Sequence, residues 1–230
     1  MTNSRDAILQ RVRAAVQAGN RPGSVVALEA RGGIGYQGGG PDPVTRFTAE
    51  CTAAGGQVHV VADRAAARAV VAALLQGKGV RKAIVALRPV VAALGLPDFL
   101  APLGIEVAMM ASLSTESCRG PFFAADAGIS GVDYLIAETG TVVLQASPEE
   151  ARSVSLLPPL HIAIAEREQL LPDLFDLFEA MPTSESATPA PKLPSCISLI
   201  TGPSKTGDIE LRLVTGVHGP GELHVVLISA

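Results

Sequence analysis

Ser204, Lys205 and Thr206 place two hydroxyls and an ammonium side by side in the run Gly202-Pro203-Ser204-Lys205-Thr206-Gly207-Asp208-Ile209-Glu210. A second Gly/Pro-bracketed turn, Gly216-Val217-His218-Gly219-Pro220, follows closely. Backbone N–H groups at such turns, together with small polar side chains, converge on carboxylates and phosphates. Asp208 and Glu210 could orient those donors, or Asp208 could cap a short helix through Ile209, Leu211 and Leu213. His218 sits in a predicted loop, where an imidazole can exchange protons or hold an anion. The order is not that of a P-loop, because Gly-x4-Gly-Lys-Ser/Thr is absent. The apolar run 196–200 reads as a buried strand, so the segment lies where open α/β sheets bind ligands, beyond a strand's carboxyl end.

A second cluster centres on Glu138-Thr139-Gly140. A carboxylate at a strand end beside glycine could act as nucleophile or general base, since the missing side chain at Gly140 lets a substrate approach the backbone. The plainer reading is a turn that Glu138 opens and Thr139-Gly140 closes. His161 begins an apolar run after Leu156-Leu157-Pro158-Pro159-Leu160, and is either a core imidazole or a third site group. His59 and His224, set among Val and Leu, read as structural.

Other matches are weaker. Gly33-Ile34-Gly35-Tyr36-Gln37-Gly38 fits the dinucleotide fingerprint literally. Pro41 and Pro43 interrupt the helix that should receive the pyrophosphate, and no acidic residue follows at the ribose distance. Cys51, Cys118 and Cys196 lie far apart, without the short paired spacings of a zinc or iron–sulfur site. Cys118, beside Arg119, is the one thiol with a cationic neighbour in sequence. No metal or cofactor is expected in this chain.

The elements that must position these residues alternate. A helical stripe, Ile8, Leu9, Val12 and Val16, follows Ser4 and ends at Gly19, and 21–43 is rich in Gly and Pro. Residues 1–45 therefore read as an N-terminal helical arm and linker, and 46–230 as one folded domain. Within it the pattern predicts a helix over 47–54, a strand over 57–61, a helix from the N-cap Asp63 to Gly77, a strand over 82–87, a short helix over 89–94 and a strand over 105–110. Such alternation implies parallel pairing. A polar, helix-prone stretch spans 116–125. The apolar runs 132–137 and 141–145 are so close that they form an antiparallel hairpin or one bent strand. Strands are expected over 160–165, 196–200 and 223–228, and an amphipathic helix over 170–180 with Leu171, Leu174, Phe175 and Phe178 on its buried side. Residues 181–194, rich in Ser, Thr and Pro, read as a surface loop.

Of the 230 residues 48% are hydrophobic but only 3% aromatic, with no Trp, so the core must be built from Ala, Val, Leu and Ile. That suits helices packed on a parallel sheet. The net charge of −4, without basic clusters carrying aromatic neighbours, argues against nucleic acid. The N-terminus has no apolar signal core and no apolar run is long enough for a membrane span, so cytoplasm is the expected compartment.

Four ordered motifs, Gly-Ile-Ser-Gly-Val-Asp-Tyr-Leu-Ile-Ala-Glu-Thr-Gly-Thr from Gly128, Leu-Leu-Pro-Pro-Leu-His-Ile-Ala from Leu156, Gly-Pro-Ser-Lys-Thr-Gly-Asp-Ile-Glu from Gly202 and Gly-Val-His-Gly-Pro from Gly216, resemble the LUD-domain family, most closely its lactate-utilization C branch. Gly207 stands where that family's motif favours Ala, and Lys205 where Arg is common, a change that loses bidentate anion binding. The resemblance implies a three-layer α/β fold with a mostly parallel sheet, like that of sugar-phosphate isomerases and CoA transferases. It also implies a role in oxidising L-lactate to pyruvate beside a cysteine-rich protein and an iron–sulfur protein. The redox centre would then belong to a partner. On this reading Ser204, Lys205, Thr206 and His218 hold a small carboxylate or phosphate, with Asp208, His161, Thr139 and Gly140 around it and Glu138 as base. The rival is an acyl-CoA transferase or hydrolase, or a sugar-phosphate-binding enzyme, using Glu138, since CoA transferases carry a nucleophilic Glu near a Gly. A regulatory subunit with an empty cleft is a third reading.

Overall fold

Two aspartates in the first hundred residues start helices by the same device. Asp42 accepts from the backbone N–H groups of Val44 and Thr45, with Pro43 in the first turn, and Asp63 accepts from that of Ala66 at 2.8 Å. The computed structural model describes residues 4–19, 38–110, 119–147, 150–181, 194–207 and 214–229. Most of the Gly33-to-Gly38 fingerprint, Cys118, Asp208 and Glu210 with the helix that Asp208 would cap, and nearly all of loop 181–194 lie outside the described residues.

The chain divides into residues 1–36 and 37–230. The first unit holds α1 (Ser4–Gly19), a single amphipathic helix whose apolar stripe at Ile8, Val12 and Val16 is exposed. In the second, α2 (Pro43–Ala53) precedes β1 (Gln57–Val61) and α3 (Arg64–Gly77), then β2 (Lys82–Val85), α4 (Pro89–Ala92), α5 (Leu96–Leu100) and β3 (Glu106–Met109). There follow α6 (Arg119–Ala124), β4 (Ala127–Gly131), β5 (Tyr134–Ile136), β6 (Thr141–Gln145), α7 (Arg152–Leu156), β7 (Leu160–Glu166), β8 (Leu170–Leu171) and α8 (Leu174–Ala180). The described chain closes with β9 (Ile197–Ile200), β10 (Lys205–Thr206), β11 (Val214–Thr215) and β12 (Glu222–Ile228).

Six strands form a parallel sheet in the order β1-β12-β7-β4-β2-β3, as the strand–helix alternation requires. One face packs α3, α4 and α5 through Val71, Leu75, Val91 and Leu100 onto Ile129, Ile162, Ile164 and Val226. The opposite face, carrying Ala163, Ala165, Val225 and Leu227, meets α2 through Phe47 and Cys51 and a second sheet through Leu135, Val142 and Leu144. That second sheet runs β8-β5-β6-β9, with α8 on its outer face through Leu177. The architecture is α/β in three layers, built mainly of aliphatic side chains.

Several sequence expectations change. The helix expected over 47–54 begins at Pro43, because Asp42-Pro43 is a complete start signal inside what reads as linker. α5 was not anticipated; Gly95, at φ +55, separates it from α4. The run 132–137 is not one strand. Val132 lies just past the end of β4, Asp133 forms a bend, and only 134–136 make β5, which pairs antiparallel with β6 as the hairpin reading has it. β4 itself, Ala-Gly-Ile-Ser-Gly, is too poor in β-formers to stand out. It forms because Gly128 and Gly131 let other backbone and side chains approach; a Cβ on Gly131 would lie 2.5 Å from that of Arg88. The helix expected over 170–180 starts only at Leu174, since 170–171 join the second sheet and Asp173 caps anew. This resets its phase, so Leu177 is buried while Phe175 and Phe178 are exposed.

Candidate functional site

Strand β7 begins with Leu160-His161, and its parallel register against β4 sets His161 opposite Gly128, with Ser130 diagonal on the same face. The Ser130 hydroxyl and His161 Nε2 are 2.8 Å apart, and both side chains are buried. Burial disfavours the imidazolium and pushes the His161 pKa down to about 4, so the ring is neutral at ordinary pH. α7 packs against this face because Gly128 has no side chain to hold it off, and it brings Ser155 with it.

His161 and Ser155 line a cleft of about 270 Å³, at the small end of ligand sites, which run from about 300 Å³ upward. Its polar lining includes Ser155, His161, Thr201, Ser204 and His218, and its apolar wall Leu156, Leu199, Pro203 and Pro220. The two Gly/Pro turns are clipped together through Ser204: its N–H donates to the Pro220 carbonyl at 2.9 Å, and its carbonyl accepts from Gly216 N–H at 3.0 Å. Gly202 and Gly216 take φ +81 and +79, which close these turns.

The structure thus brings Ser204, His161 and His218 to one cleft, with His218 exposed at its mouth. It does not bring Lys205 there. The Lys205 ammonium donates to the carbonyl of Ala54, the residue that ends α2, where a cation completes the helix terminus. Thr206 is half-buried in the β10–β11 ladder and does not line the cleft. Glu138 also stays outside the lining; it is half-buried in the 137–140 turn, with its backbone N–H donating to the Pro172 carbonyl. Gly140, at φ +63, is not open to a substrate, because the backbone of Cys51 in α2 fills the place its side chain would take. Thr139 connects indirectly: its hydroxyl lies 2.7 Å from that of Thr141, which lies 2.7 Å from that of Thr201 in the cleft.

The position also differs from expectation. β9, which leads into Gly202, is only half-buried and pairs antiparallel with β6, and the cleft lies over the amino ends of β7 and β12. The reason is topological: β9 belongs to the second sheet, which is folded over the first.

Sequence reading missed Ser130, Ser155 and Thr201. The signal for the first was its place among small residues in Gly-Ile-Ser-Gly. It missed a charged cluster altogether. Where β2 and β4 end, Arg88 Nη2 contacts both Asp133 carboxylate oxygens at 2.8 and 2.7 Å and donates to the Gln145 carbonyl at 3.1 Å. Glu150 is 2% exposed, with its Oε2 4.0 Å from Arg88 Nε. Burial pushes the Glu150 carboxyl up to about 8, against the pull of the Arg88 charge. The two histidines read as structural contact each other, His59 Nε2 to His224 Nδ1 at 3.0 Å.

The family model of the LUD domain matches residues 44–228. The chain belongs to the LUD domain family. Among LUD relatives, lactate utilization protein C of Halalkalibacterium halodurans is 47% identical over 96 residues, 42% of this chain and 41% of that protein. The lactate utilization protein C of Bacillus subtilis is 41% identical over 105 residues, 46% of this chain and 43% of that protein. An uncharacterised protein of Neisseria meningitidis is 34% identical over 149 residues, 58% and 62% of the two chains. The matched stretch spans less than half the length of the two lactate utilization proteins. A crystal structure of a DUF162 family protein from Deinococcus radiodurans shares the LUD fold, with a TM-score of 0.54 at 22% identity, covering 81% of this chain and 96% of that one.

Proposed function

We propose that this LUD-domain chain serves lactate utilization by binding a small carboxylate, L-lactate or pyruvate, in the cleft between α7 and the two Gly/Pro turns. The observation that carries the reading is the convergence of Ser155, His161, Thr201 and Ser204 opposite an apolar wall, in a cleft of small volume. Hydroxyls and a neutral imidazole can donate to a carboxylate without holding a buried cation of their own. The leucine and proline wall suits a methyl group. In this proposal the electrons of lactate oxidation pass to an iron–sulfur partner, beside a cysteine-rich one, and the compartment is the cytoplasm; among the described residues no helix is long and apolar enough to cross a membrane.

Calorimetric titration tests the cleft. L-Lactate or pyruvate should release heat on binding, and Ser204→Ala should weaken it about tenfold or more, since a hydrogen bond to a charged group contributes about 1.5–3 kcal/mol. Absence of heat with lactate, pyruvate and phosphate would count against the cleft and favour a scaffolding role. A strain lacking the chain should fail to grow on L-lactate as sole carbon source; normal growth would remove the pathway. Incubation with acyl-CoA thioesters should leave Glu138 unmodified, and an adduct there would move the chemistry to the 137–140 turn.

A further inference from the structure

Ser130 is fully buried in β4 and does not line the cleft, yet its hydroxyl is the partner of a residue that does. The 2.8 Å contact occupies His161 Nε2. Nδ1 has no protein partner among the described residues and is not one of the polar atoms sealed off without one, so it is the ring nitrogen left open to the cleft. A neutral imidazole carries one proton, and the bond made at one nitrogen decides which of the two holds it.

Two arrangements fit the contact. With the proton on Nε2, the ring donates to Ser130, and the serine's own proton then needs an acceptor. The structure offers none: the His161 ring is the hydroxyl's single partner among the described residues, and at 0% exposure bulk water does not reach it. A buried donor left bare forfeits its solvation. With the proton on Nδ1, the serine proton goes to Nε2 and the ring proton faces the cleft, so neither is stranded.

We infer that Ser130 is a positioning residue of the cleft: by donating to Nε2 it holds the His161 proton on Nδ1, where it donates to an oxygen of the bound carboxylate. The inference rests on the cleft being the carboxylate site. It also fixes what His161 does. The lone pair that could take the hydroxyl proton of L-lactate is occupied by Ser130, so His161 anchors the ligand and does not serve as its base. The ligand atom it meets must accept, as a carboxylate or 2-oxo oxygen does. Burial keeps the ring neutral at ordinary pH, so one nitrogen remains an acceptor for Ser130.

The test is nitrogen-15 NMR of the imidazoles in the full chain at pH 7, before and after addition of pyruvate or L-lactate, with calorimetry on the same samples. The chain has four histidines. His59→Gln, His218→Asn and His224→Gln, made singly, assign the His161 signals by elimination. In wild type Nδ1 should carry the proton and Nε2 should be a hydrogen-bonded acceptor, the reverse of the tautomer that free histidine favours. Either ligand should shift Nδ1 and its proton. In Ser130→Ala the Nε2 signal should move to that of an unbonded acceptor or gain the proton, and pyruvate should bind about threefold or more weakly, because the binding-competent tautomer is no longer held. Loss of packing alone would lower the urea midpoint and leave the ring proton and the Nε2 signal in place. Ser130→Thr, which keeps the hydroxyl, should restore the wild-type pattern. A proton on Nε2 in wild type overturns the inference, as do His161 signals unchanged in Ser130→Ala or ligand binding that leaves Nδ1 unmoved; each leaves the cleft reading intact. No heat and no shift with either ligand overturns the cleft reading and the inference with it. The wild-type spectrum needs no change at Ser130, so it decides the tautomer even where Ser130→Ala folds poorly.

Discussion

Gly128→Ala should cost at least about 3 kcal/mol in urea unfolding and abolish ligand heat in the cleft. A methyl group at this position would fall well inside van der Waals contact with the Val154 carbonyl, and Pro158 stands 3.2 Å away on the same side. Neither can yield locally. Val154 is fully buried in α7 and packed against Ile84, Ala86 and Phe122, so relief requires the whole helix to lift from β4. Lifting α7 carries Ser155 away from His161. Gly77→Ala is the matching control: no atom lies within 4 Å of the place its methyl would take, so this change near the end of α3 should be neutral or stabilise by about 0.4–1 kcal/mol. If Gly128→Ala unfolded at the wild-type urea concentration, the close packing of α7 on β4 would be wrong.

Stability should also depend on pH in two opposing ways. His161 is neutral in the fold down to about pH 4, whereas the unfolded imidazole takes a proton near 6.5. Between those values the unfolded state binds more protons, so stability falls as pH falls, by about 3 kcal/mol in all. Burial lowers His59 and His224 as well, with the same sign. Glu150 works the other way. It keeps its proton in the fold to about pH 8, while the unfolded carboxyl loses it near 4.5, so this contribution is complete at low pH and is lost as pH rises through that window. From pH 4.5 to 6.5 the two trends offset each other. From 6.5 to 8 only the Glu150 trend remains, and stability should decline by about 2 kcal/mol. Glu150→Gln should abolish that decline, and His161→Gln should flatten the acid side. Denaturant titrations at pH 5, 6.5 and 8 read both. Wild type and Glu150→Gln changing in parallel from pH 6.5 to 8 would show that Glu150 is ionised throughout.

The same groups show what could be read from sequence. Asp63, with the strand before it and the apolar stripe after it, specifies β1 and α3 locally, and the structure has both with the boundaries that pattern predicts. The hairpin of β5 and β6 and the strand at β12 are equally local, since periodicity and turn residues act over a few positions. β4 is different. Its Gly and Ser make a weak strand signal, and only the fit of α7 and Arg88 against its glycines explains it.

For the site the division is sharper. Residue types alone pointed to the Gly202 and Gly216 turns and to His161, because loop glycines, hydroxyls and imidazoles have few other uses together. They also pointed to Lys205, which chemistry favours as an anion donor; the tertiary structure instead turns its ammonium to the end of α2, a partner 151 positions away. Ser130 meets His161 only through the register of β4 on β7, and Ser155 joins the cleft only through the seating of α7. Arg88, Asp133 and Glu150 are spread along the chain and resemble ordinary surface charges, and only folding removes Glu150 from water. By itself the sequence determined the family, the parallel α/β plan and the turns that edge the cleft, all set by local propensity and hydrophobic period. Which polar groups meet there, and which of them are stripped of water and shifted in pKa, was decided by packing between distant segments, whose long-range register no local pattern encodes.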